Sequence, residues 1–272
     1  MKSIKSVLVF ALAAIAGSAL ADHRTLALYR THLGMYYVDT IAENGTVTES
    51  LKLKYAGFPT DQPLIVCKGT ISGSGVFSVC YMDPSANVAR EVRFRPDGSV
   101  YIHGGNYITD GPNVRIVGAL EMTVDGLFGL RKVMWNSATG VVFVQVGRED
   151  TRNLDLSGVD LGVYTVPFGA WDYDGDGDGD VVFMDPVAKR ARVVFFQGTT
   201  AVSLGPVLNP IAKDRDIVGA SDVDLNGSVD LVLRNATQAT RIRFYDGNVR
   251  TSTVILQGDR NRELLSVAQV DD

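Results

Sequence analysis

A ten-residue acidic pattern that returns after 50 residues constrains this chain more than any other feature. Asp172 to Val181 reads DYDGDGDGDV and Asp222 to Leu231 reads DVDLNGSVDL, both fitting D-x-D-x-(D/N)-G-x-x-D with an apolar residue next. The lead-ins keep step, since Phe168-Gly169-Ala170 lies 50 residues before Val218-Gly219-Ala220. A fixed period of about 20 to 50 residues marks a repeat architecture, in which each unit buries its apolar face against its neighbours.

Weaker copies extend the repeat. Val79 to Pro84 (VCYMDP) lies 102 residues before Val181 to Pro186 (VVFMDP), which sets Thr70 to Val79 (TISGSGVFSV) over the first acidic loop with its charges gone. Val133-Met134-Trp135 aligns with Leu231-Val232-Leu233; this makes Val124 to Lys132 a decayed loop that keeps only Gly129. A fifth copy is split: Thr25 to Leu28 matches the segment after a loop, and Leu264 to Val270 matches the lead-in Ile217 to Val223. The ninth loop positions are then Thr25, Ser78, Lys132, Asp180 and Asp230, spaced 53, 54, 48 and 50 residues apart.

Within each unit the apolar residues alternate over short segments bounded by turn residues, and no 3.6-residue period persists, so the chain is expected to be all-β. Gly at 28 against 9 Pro suits many tight turns. Four short strands per unit of about 50 residues is the pattern of a propeller blade. The expectation is a single five-bladed β-propeller over 22–272, with blades near 22–63 plus 264–272, 64–115, 116–164, 165–215 and 216–263. The C-terminal strand would close the first blade and so remove an exposed sheet edge.

Oxygen donors at positions 1, 3, 5 and 9, a Gly at 6 for a sharp turn and a backbone carbonyl at 7 suit a hard cation with several oxygen ligands, which favours calcium. In the first loop these are Asp172, Asp174, Asp176, the carbonyl of Asp178, and Asp180. In the second they are Asp222, Asp224, Asn226, the carbonyl of Ser228, and Asp230. An EF-hand would need Glu at position 12, where Phe183 and Leu233 stand. Four carboxylates in one turn also repel: two of them about 4 Å apart cost ~4 kcal/mol at an effective dielectric near 20. A divalent ion offsets that, so about two Ca2+ ions are expected.

The FGAW lead-in, the D-x-D-x-D-G-x-x-D loop and the 50-residue unit resemble FG-GAP (VCBS-type) repeats, the calcium-loop blades of integrin-like propellers and many exported bacterial proteins. The resemblance implies a β-propeller with calcium in the hairpin between the first and second strands of a blade. It implies no single activity.

Residues 1–21 read as a signal peptide: Lys2 and Lys5, an apolar stretch from Val7 to Ala16, and Ala19-Leu20-Ala21 as the cleavage site. The stretch is about half the roughly 20 residues a membrane span needs. The expected location is therefore secreted or periplasmic, with no membrane span. Cleavage leaves 24 basic and 31 acidic residues, a net charge of −7, and no Lys/Arg track for phosphates, which argues against nucleic acid as a partner. In an exported chain Cys67 and Cys80, symmetric about the 70–78 loop, suggest a disulfide; two buried thiols are the other reading.

Two function classes stay open. One is a non-catalytic binding module for an extracellular glycan or protein. The other is a carbohydrate-active enzyme, glycosidase or lyase, with carboxylates on inner strands facing a central channel. The expected inner strands carry only Glu121 and Asp216 as acids, which favours the binding module. Asp83-Pro84 and Asp185-Pro186 read as turn formers, and the Tyr101, His103, Asn106, Tyr107 cluster as ordinary strand residues.

Overall fold

The computed structural model describes residues 24–55, 57–59, 64–68, 77–83, 88–108, 113–146, 150–208, 215–235, 240–256 and 262–270. The expectations for the signal peptide, most of the 70–78 loop and the two last residues fall outside them. Among the described residues every regular element is a strand, as the alternating patterning requires.

Twenty strands follow one another. The first three are β1 (Arg24–Thr31), β2 (Tyr36–Ile41) and β3 (Val47–Leu53). A four-stranded meander follows: β4 (Leu64–Lys68), β5 (Phe77–Asp83), β6 (Val88–Phe94) and β7 (Val100–Ile108). The next comprises β8 (Val114–Val124), β9 (Leu127–Asn136), β10 (Val142–Gln145) and β11 (Thr151–Asn153). Then come β12 (Val166–Trp171), β13 (Asp180–Asp185), β14 (Arg190–Gln197) and β15 (Thr200–Leu208). The last strands are β16 (Arg215–Ser221), β17 (Asp230–Asn235), β18 (Thr240–Asp246), β19 (Val249–Leu256) and β20 (Arg262–Val270).

β20 turns back and pairs antiparallel with β1, from Arg24 opposite Val270 to Thr31 opposite Arg262. It also makes one parallel bridge to β16, Gly219 to Val267, so that two four-stranded meanders join into an eight-stranded sheet. Among the described residues the hydrogen bonding does not run round the molecule, and the other three sheets are separate.

The core lies between sheets. Second strands such as β5 and β13 are buried on both faces, whereas β3 and β19 are largely exposed. Each apolar cluster joins successive sheets. Phe77 and Phe94 stack at 5.1 Å and meet Tyr36 through Phe58, tying β1–β3 to β4–β7. Cys80, Met82, Ile116 and Met134 tie β4–β7 to β8–β11. Ala27, Val232, Ile242 and Val267 tie β16–β19 back to β20 and β1–β3. The first strands follow the same order: β4 lies against β8, β8 against β12, β12 against β16, β16 against β20, and β20 against β4.

These first strands approach too closely for ordinary side chains. A Cβ on Gly219 would stand 2.7 Å from the Cβ of Val267, and one on Gly118 would stand 2.9 Å from Ala170. The glycine of the repeated lead-in is thus a packing requirement between neighbouring strands.

One expectation is corrected. Val124 to Lys132 is no loop: β8 and β9 stay paired to Val124 opposite Leu127, with Gly129 inside the ladder opposite Met122. Asp125 and Gly126 both have positive φ, 53° and 74°, the requirement of a two-residue type I′ hairpin turn. That turn matches the strand twist, so the ladder extends where two other units carry an acidic loop.

Candidate metal centre

The two acidic loops lie between first and second strands, Asp172 to Gly179 linking β12 to β13 and Asp222 to Val229 linking β16 to β17. They share most of their hydrogen bonds. Position 1 organises the turn: Asp172 Oδ1 accepts the N–H groups of Gly175 and Asp176, and its Oδ2 accepts that of Gly177 at 2.9 Å. Asp222 likewise accepts from Asn226 and Gly227. Position 5 accepts the N–H of position 7, Asp178 to Asp176 and Ser228 to Asn226. Position 6 takes φ of 89° at Gly177 and 80° at Gly227, the left-handed region where glycine carries no Cβ penalty.

The position 7 side chains turn away from the cluster: Asp178 Oδ2 accepts the N–H of Gly198, and Ser228 Oγ that of Gly247, both in the turn between the third and fourth strands. The side chain of position 7 thus ties its loop to the outer hairpin of the blade sheet. Asn226 Nδ2 donates to the Tyr245 carbonyl at 2.8 Å, so its amide oxygen is the group left for a cation.

Position 9 anchors the loop. Asp180 and Asp230 are fully buried. Asp180 accepts the N–H of Tyr173 at 2.9 Å and of Phe196 at 3.0 Å; Asp230 accepts those of Val223 and Tyr245, both at 2.9 Å. Each carboxylate therefore pins the start of its loop to the third strand. Burial pushes both up to about 8, against the opposing pull of those N–H groups, and the neighbouring loop carboxylates push the same way. Burial likewise raises Asp172, Asp174, Asp222 and Asp224, all with contributions from other loop acids or their surroundings.

One ligand atom from each of Asp172, Asp174 and Asp176 lies within 4.8 Å of the others, and the same holds for Asp222, Asp224 and Asp230. Asp224 Oδ1 is buried without a hydrogen-bond partner among the described residues. A buried carboxylate oxygen with no donor, among other carboxylates, is costly unless a proton or cation serves it. The donor set is all oxygen, so the residues fit a hard divalent ion.

The structure adds a feature the spacing alone did not disclose. The ninth position is a buried polar residue in every unit: Thr25, Ser78, Lys132, Asp180 and Asp230. Where the acid is gone, two of the three substitutes have another polar neighbour, while the buried Ser78 hydroxyl has no hydrogen bond among the described residues. Thr25 Oγ1 lies 2.9 Å from Ser221 Oγ, and Lys132 Nζ 3.7 Å from the buried Glu91. The fixed register was the signal available for this in the sequence.

Asp185 performs the turn role assigned to it, accepting the N–H groups of Val187 and Ala188 and pairing with Arg190 at 3.0 Å. The side chains of Cys67, His103, Asn106 and Tyr107 lie outside the described residues. The backbone places β4 and β5 side by side, with Ile65 opposite Cys80 and the register shifting between Val66 and Lys68, so Cys67 sits in that shift.

No family model matches the sequence, and no curated protein matches it. Among solved structures, a candidate 6-phosphogluconolactonase from Bacteroides fragilis is similar at a TM-score of 0.43 and 12% identity, over 87% of this chain and 83% of that one. The Dos1 propeller is similar at a TM-score of 0.36 and 10% identity, over 84% of this chain and 57% of that one.

Proposed function

We propose that this chain is an exported five-bladed β-propeller that binds about two calcium ions and serves as a non-catalytic module for an extracellular glycan or protein. The cyclic order of the first strands, with β20 and β1–β3 as the fifth blade, supports the architecture. The observation that carries the calcium reading is the pair of loops, which share the backbone bonds to positions 1 and 5 and each gather three carboxylates. Asp172, Asp174, Asp176 and Asp180, with the Asp178 carbonyl, hold one ion. Asp222, Asp224, Asn226 and Asp230, with the Ser228 carbonyl, hold the other. The ions supply charge neutralisation that locks the first hairpin of each blade.

The channel-enzyme reading is weaker. It calls for a carboxylate pair on inner strands, yet Asp216 lies 3.4 Å from Lys189, and Glu263 on β20 is held by Arg30 at 2.7 Å and Arg234 at 3.2 Å. Calorimetric titration of the metal-free protein is the test: about two calcium ions should bind, and replacing Asp174 and Asp224 with Ala should remove the uptake. Saturating calcium at a hundredfold excess over Kd stabilises the fold by ~2.7 kcal/mol per site, so melting should rise with calcium and fall with chelator. No uptake by the wild type overturns the calcium reading. A glycan array on the calcium-loaded protein then addresses the partner.

A further inference from the structure

The hairpin of β2 and β3 and the second acidic loop share an open cleft of about 640 Å3, within the range of small-molecule sites, about 300–1,000 Å3. Both sides are held in place. A Cβ on Gly45, in the hairpin turn, would stand 3.1 Å from Val254 Cγ1 on β19, so the turn rests against the neighbouring unit. Thr25 also lines the cleft, and its 2.9 Å contact with Ser221 joins β1 to β16.

One wall comes from a ladder irregularity. Glu49 stands opposite Thr40 and Val47 opposite Ile41, which leaves Thr48 as an extra residue in β3. Neighbouring strand residues ordinarily point to opposite faces, and a bulge re-aims one of them; here Thr48 and Glu49 both line the cleft. Glu43, in the turn of the same hairpin, lines it too. Both glutamates are exposed, and among the described residues neither has an ion pair or a side-chain hydrogen bond. No Lys, Arg or His is among the described lining residues. The other wall is apolar. Leu225, 44% exposed, holds a φ of 56° at the loop position where Gly175 takes 77° in the first loop. Glycine meets that left-handed requirement without a Cβ penalty, whereas the leucine brings alkyl surface to the cleft.

We propose that this cleft binds a primary ammonium on an unbranched alkyl stem, either a free alkylamine or a lysine side chain of a partner protein. The two carboxylates offer charged acceptors to the three N–H donors of an ammonium, and Leu225 offers the stem an apolar surface. A divalent ion is a poorer match. Glu43 and Glu49 belong to neither group of three metal-ligating side chains among the described residues, and calcium takes about six to eight oxygens. An anion would meet two like charges. The cleft uses none of the residues assigned to calcium, so it stands whether or not the loops take the ion.

Butylamine, 1-butanol, methylamine and Nα-acetyl-lysine methylamide are the probes, titrated into the full chain by saturation-transfer NMR with and without calcium. Butylamine should bind saturably, severalfold tighter than the alcohol, which lacks the charge, and than methylamine, which lacks the stem. The lysine amide separates the two sources: binding as tight as butylamine assigns the cleft to a partner's side chain, and weaker binding to a free amine. Glu43→Gln together with Glu49→Gln should abolish the preference for amine over alcohol without changing Tm. Leu225→Gly, which copies Gly175 of the first loop, should weaken butylamine severalfold and leave methylamine unchanged. Equal affinity for amine and alcohol, an unchanged preference in the double variant, or no saturable binding overturns the proposal.

Discussion

Asp180 and Asp174 sit in one loop and do different jobs. Asp180 satisfies two buried N–H groups, so Asp180→Ala orphans both and should destabilise by about 2–5 kcal/mol even without metal. Asp174 is more exposed and accepts only the N–H of Asp176, at 3.2 Å. Asp174→Ala should leave metal-free stability nearly unchanged while removing the gain from calcium; urea titrations of both variants with and without calcium check this. The same loops set a pH dependence. Asp180 and Asp230 hold their protons up to about 8 in the fold, while the unfolded chain releases them near 4. The folded state binds more protons across that window, so the stability these two groups contribute is full below pH ~4 and is lost as pH rises through 8. Melts between pH 5 and 8, where ordinary carboxylates no longer titrate, should show the fall, and saturating calcium should suppress it by replacing the protons.

At the level of strands, the glycine of the lead-in is the sharpest test. Gly219→Ala sets a methyl 2.7 Å from the Cβ of Val267 and 3.2 Å from its nitrogen, so β16 and β20 must part. Overpacking of this kind costs about 1–3 kcal/mol, readable as a lower midpoint in urea. The hairpin of β4 and β5 carries a second: Cys67 and Cys80 are expected to be bonded, worth ~3 kcal/mol for a loop of about 14 residues. Mass spectrometry after alkylation without reduction should find no free thiol. Strand starts were legible in the sequence because the acidic spacing and its apolar sequel set the register from Asp180 and Asp230 outward. The β8–β9 hairpin was not, although Asp125-Gly126 is a strong turn signal, because aligning on Gly129 imposed a loop that the chain had replaced. The register shifts past Val117, Phe168, Val218 and Leu265 were illegible for a different reason: a bulge depends on what a partner strand does, and period-2 alternation carries no mark of it.

For the whole molecule, the pairing of β1 with β20 carries the prediction. Removing 262–272 takes away the buried Leu264, Ser266 and Val267 together with the ladder partner of β1, and it uncovers the edges of β1 and β16. The truncated chain should aggregate or melt far below the intact one, measured by light scattering and calorimetry.

Because Arg24 and Val270 stand opposite each other in one ladder, covalent order and spatial order are separable in this protein. A short linker from residue 270 to residue 24, with new ends cut in the exposed turn at 186–189, would keep every strand beside its present neighbour. In such a permutant the pairing that now joins the most distant parts of the chain becomes a local hairpin. Loop-closure entropy, which grows with the logarithm of separation, would then favour early formation of the sheet that must at present wait for its last strand.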